Sequence, residues 1–83
     1  MDKELVYLEW LDSHSFYGWI SHDDITCEIP VIKTIGWIVK ESEHAITISA
    51  TIAESCVDCP MTIPKFAIRL RKAISLEKVY AAS

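Results

Sequence analysis

The sequence predicts an all-β domain of about five strands, and three stretches carry that prediction. In residues 35–52 two β-branched runs flank one short polar break, Glu41, Ser42, Glu43 and His44, as the arms of a β-hairpin do. In residues 4–11 the side chains of Val6, Leu8 and Trp10 fall on one face of a strand, with Leu5, Tyr7, Glu9 and Leu11 on the other. In residues 63–72, Pro64 can open one tight 3₁₀ turn, after which Phe66, Ile68 and Leu70 point one way and Arg69 and Arg71 the other. A lone hairpin is marginal in water, so its apolar face must be covered by the segments before and after it.

Each element follows from local chemistry. Over residues 4–11 helix is the rival reading, but eight residues stopping at Asp12 and Ser13 make a short helix, and the Glu9-free face suits a strand. Residues 12–27 form the longest irregular segment, around Phe16, Tyr17, Gly18 and Trp19, with Ser21 placed to cap one helical turn whose third position is Asp24. This segment either folds back as a lid on one open end of the barrel, or leaves its aromatics accessible to stack on a flat ligand or partner. Residues 29–34 lead into the hairpin, and Pro30 confines them to an edge or bulge. On the second hairpin arm Ile46, Ile48, Ala50 and Ile52 alternate with Thr47, Ser49 and Thr51. Pairing Lys40 with Ala45 sets Val39 against Ile46 and Trp37 against Ile48, leaving Gly36, Ile38 and Lys40 outside. The expected core is therefore Val6, Leu8, Trp10, Ile35, Trp37, Val39, Ile46, Ile48, Ile63, Ile68 and Leu70. Residues 54–60 read as a polar loop, residues 61–63 as a short strand, and the tail 73–83 as either a short C-terminal helix or a frayed end.

With 83 residues the chain, 1–83, is expected to be one domain, half hydrophobic with enough aromatics for a core. No apolar run approaches the roughly 18 residues that span a bilayer, and Met1, Asp2, Lys3 and Glu4 lack the order of a signal peptide, so a cytoplasmic location with no membrane partner is expected. A net charge of −4 disfavours nonspecific nucleic-acid binding, although Lys65, Arg69, Arg71 and Lys72 cluster near the end. Cys56 and Cys59 have zinc-ligand spacing that Cys27 or a histidine could complete, yet no second pair follows, and reduced loop thiols with no metal are expected. Ser, His and Asp all occur in the first loop without a nucleophile elbow, and two glycines cannot build a phosphate-binding loop. No enzyme activity and no cofactor are expected.

The order of elements, with Pro64, Phe66 and Ile68 entering the last strand, resembles that of a small SH3-like barrel with a long first loop. The chain also resembles small proteins of tailed phages and prophages. It shares a start like Glu9, Trp10, Asp12 and Ser13 with Gly18 and Trp19, a middle like residues 35–39, and an end like Ile63, Pro64, Lys65 and Ile68. That resemblance implies phage origin and a host-cell cytoplasmic setting without implying a reaction. The resulting expectation is a non-enzymatic binding protein, a counter-defence protein that captures a host defence protein or sequesters an anionic signalling nucleotide. Tyr17 and Trp19 would stack, and Lys65, Arg69 and Arg71 would grip charge. Two alternatives are a homo-oligomeric structural protein and a DNA-contacting regulator.

Overall fold

The computed structural model describes residues 3–77, and it is a small all-β domain. Its strands are β1 (Leu5–Leu11), β2 (Val31–Glu41), β3 (Ala45–Ser49), β4 (Thr51–Ile52), β5 (Val57–Asp58), β6 (Met61–Pro64) and β7 (Ile68–Ala73). Five of them form one antiparallel sheet in the order β6-β3-β2-β1-β7, and β4 and β5 pair separately as a short ribbon. The two edge strands of the large sheet are consecutive in the chain, joined only by the 3₁₀ turn Lys65–Ala67 that Pro64 precedes. A three-residue link cannot cross a flat five-stranded sheet about 19 Å wide, so the sheet curls until the end of β6 comes close to the start of β7.

The curl encloses the core. Val6, Leu8, Trp10, Ile46, Ile48 and Ile63 are buried together, with Ile32, Ile38 and Ile68 packed against them. Trp10 brings a polar group inside, and its indole N–H donates to Thr34 Oγ1 at 3.0 Å. Gly36 is buried where β3 closes on β2. A Cβ there would lie 3.2 Å from Ser49 O and 3.4 Å from Ile48 Cβ, so the side-chain-free position permits the close approach.

The hairpin register differs from the sequence expectation, and the difference turns β2 over. Ser42 N–H bonds to Ala45 O at 2.9 Å, and the Ser42 hydroxyl accepts from the N–H groups of His44 (3.3 Å) and Ala45 (3.1 Å). This serine tightens the turn, setting Glu41 opposite Ile46 and Lys40 opposite Thr47. Val39 then bulges out, and Ile38 rather than Trp37 faces Ile48. The net slip is one residue, so Ile32, Thr34, Gly36 and Ile38 line the interior while Ile35 is exposed on the outer side and Trp37 is half-buried there. The isoleucines of β3 stay buried as expected.

Three further expectations need correction. Arg69 is an extra residue between the pairs Trp10 with Ile68 and Glu9 with Leu70, so Leu70 lies on the outer side, and Arg69 and Arg71 do not simply alternate on one face. Phe66 is exposed in the turn, where Ala67 is buried instead. The second hairpin arm breaks at Ala50: the buried Ser49 hydroxyl accepts Thr51 N–H at 3.2 Å and donates toward the carbonyls of Thr51 and Asp58, so the end of the expected arm becomes β4 and pairs with β5, a strand inside the expected polar loop. Of the tail, Ala73 ends β7 and Ile74 N–H reaches Leu5 O at 2.9 Å. The helical reading of 73–83 falls mostly on residues 78–83, outside the described residues.

Candidate functional site

Between β1 and β2 the chain leaves the sheet as an arm, residues 12–30, every one of them exposed. Its base is closed where Asp12 N–H donates to Pro30 O at 3.1 Å, one step beyond the last β1–β2 pair, Leu11 with Val31. Ser13 N–H turns back to Asp12 Oδ1 at 2.8 Å. Near the tip, Ser21 caps the single 3₁₀ turn His22–Asp24: its hydroxyl accepts from Asp23 N–H at 3.4 Å and its carbonyl from Asp24 N–H at 3.0 Å. Gly18 has φ +70°, a left-handed conformation that turns the chain between the two largest aromatics of the arm. The segment is therefore not a lid. Tyr17 is 99% and Trp19 105% exposed, so neither ring rests on any part of the sheet. The one ring contact in the arm is His14 with Phe16, centroids 4.6 Å apart.

The expected cations are placed differently from one another. Arg71 sits across from Leu8, on the inward side of the sheet, and its guanidinium reaches Glu41 at 3.0 and 3.2 Å and Glu4 at 3.2 Å. Lys65 Nζ lies 2.7 Å from the same Glu41 carboxylate. Hydrogen bonds from Arg71 and then Lys65 hold the Glu41 carboxyl well down, to about 2, while Glu41 pushes the Arg71 guanidinium further up. These four side chains tie the start of β1, the end of β2, the 3₁₀ turn and β7 together, across the seam that the curled sheet leaves. Lys65 and Arg71 are thus brought together, but on a carboxylate of their own chain. Arg69 is exposed and forms no ion pair among the described residues. The structure brings neither Tyr17 nor Trp19 against any of these cations within one chain.

Sequence reasoning missed Glu41 and Glu4, the groups that engage the basic cluster. The signal available was weak: Glu41 opens a hairpin turn, where a carboxylate ordinarily faces water. The three cysteines are free and exposed, Cys27 on the arm and Cys56 and Cys59 around the β4–β5 ribbon, and among the described residues no three His, Cys, Asp or Glu side chains converge. Among those residues no helix is long and apolar enough to cross a membrane. No protein-family model matches the chain, and neither does any curated protein or solved structure.

Proposed function

We propose that the protein is a non-enzymatic binding protein of phage type, built as an SH3-like barrel, that captures a host protein with the arm of residues 12–30. The observation that carries this is the complete exposure of Tyr17 and Trp19 on a segment anchored at its base to a packed sheet. Burying an aromatic of this size recovers about 4–6 kcal/mol before the entropy of association is counted, and Tyr and Trp are the usual anchors of protein interfaces. The sheet order, the long first connection and the single turn between the edge strands support the SH3-like assignment. Charge favours a protein partner over a nucleotide. Asp12, Asp23, Asp24 and Glu28 give the arm four acids with no Lys or Arg, and Lys65 and Arg71 already serve Glu41. A host protein with a basic rim around an apolar recess fits such an arm, whereas phosphates beside it would be repelled.

The test is retention of host proteins by the immobilised wild type against a Tyr17→Ser/Trp19→Ser variant. A protein held by the wild type and lost by the variant is the expected result. Equal retention by both would overturn the role of the arm. Heat released on titration with cyclic di- or trinucleotides would instead favour nucleotide sequestration.

A further inference from the structure

The large sheet ends in β6 on one side and β7 on the other, and the two edges differ in the backbone groups they leave open. In an antiparallel ladder the residues of a strand point their N–H and C=O groups alternately to one side and to the other. Ile74 N–H donates to Leu5 O, so the pairs Lys72 with Tyr7 and Leu70 with Glu9 are the hydrogen-bonded ones. Arg71 and Ala73 therefore turn their N–H and C=O groups away from β1, toward a side that no strand occupies among the described residues. Both residues are exposed. On β6, Lys65 N–H donates to His44 O, which leaves Thr62 and Pro64 facing outward. Pro64 has no N–H, so that edge is blunted and the β7 edge is not.

We propose that the β7 edge is a strand-addition site, and that its occupant is an extended acidic segment of a partner protein. Such a segment hydrogen-bonds its backbone to Arg71 and Ala73 and so lengthens the sheet by one strand. Charge selects the acid. The chain carries −4 overall, yet residues 68–73 hold Arg69, Arg71 and Lys72 and no acid. Arg71 is engaged by Glu41 and Glu4, whereas Arg69 and Lys72 are exposed and in no ion pair among the described residues. The same cations exclude a second copy from this edge, because β7 laid antiparallel on another β7 would set the arginines and Lys72 against one another. The extra residue at Arg69 limits the site to the regular part of the strand, residues 70–73. This edge is separate from the arm and opposite to it in charge, so the two do not compete for a ligand.

The probe is a synthetic peptide of about eight residues, acetylated and amidated, that alternates Glu with Val and Ile. Its binding to the full chain is followed by amide spectra and hydrogen exchange. The expected result is a dissociation constant of about 10 µM to 1 mM, with exchange slowed at the Arg71 and Ala73 amides. Ala73→Pro removes one outward donor and leaves the bonds to β1 in place. It should weaken the peptide by about tenfold or more with an unchanged thermal midpoint. Arg69→Glu/Lys72→Glu should weaken it as much through charge and should bind a peptide with Lys in place of Glu, which the wild type rejects. A wild type that binds the two peptides alike, or neither, or an Ala73→Pro variant that binds the acidic one undiminished, would overturn the site. So would slow exchange at Arg71 and Ala73 before any peptide is added, since another part of the chain would then hold the edge.

Discussion

The sheet interior and the arm are built from similar residues and end in opposite environments. Val6, Leu8 and Trp10 enter the core, and a few positions later Phe16, Tyr17, Trp19 and Ile20 are exposed. The difference is not composition. Each strand of the large sheet has a neighbour at fixed register, so its inward row meets other inward rows, whereas the arm has one clamp at its base and one capped turn near its tip. Burial follows from being paired into the curled sheet on its inward side, and an apolar segment outside the sheet stays exposed.

The largest test of that contrast is Leu8→Ala or Ile63→Ala. Each should cost about 2–5 kcal/mol, a large share of the stability of a domain this small, and urea midpoints would measure it. Gly36→Ala comes next. The added methyl must push Ser49's backbone away, for an expected loss of about 1–3 kcal/mol, and an unchanged midpoint would show that the β2–β3 contact is looser than described.

A smaller effect should appear with pH. The Glu41 carboxyl is held at about 2 in the fold against an ordinary 4.5, so its contribution is present above about pH 4.5 and is lost as pH falls toward 2. Glu41→Gln should be less stable than the wild type at neutral pH and should lose less on acidification, and parallel thermal scans at pH 7 and pH 3 would expose a failure. Smallest of all, Trp19→Ser or Tyr17→Ser should shift stability by less than about 0.5 kcal/mol. A loss comparable to that of Leu8→Ala would erase the distinction between the two regions.

Much of the fold was legible in the sequence because period-2 alternation reports which side of a strand is apolar. Residues 4–11, the isoleucines of β3 and the Pro64 turn all read correctly from it. Alternation is blind to bulges. The extra residues at Val39 and Arg69 shift everything beyond them by one, which is why Ile35, Trp37 and Leu70 were expected inside and lie outside. Leu5, Tyr7 and Leu11 form an apolar outer row that could pass for a rival core, and Glu9 among them is what told the two faces of β1 apart. At the candidate site, the aromatics of the arm were visible as residue types. The engagement of Lys65 and Arg71 by Glu41 was not, because it joins positions 24 and 30 residues apart through the closure of the sheet.

The hydrogen bond from Asp12 to Pro30 marks where the sheet is already complete. Every pairing of the large sheet lies outside residues 12–30, so the arm is an insertion whose ends are held together by structure that does not depend on its contents. Replacing it with a two-residue turn would relieve about 1–2 kcal/mol of loop-closure entropy and leave the sheet intact. The same arithmetic applies to any other sequence placed there. Selection can therefore rewrite the arm, residue by residue or wholesale, while the sheet that carries it stays folded.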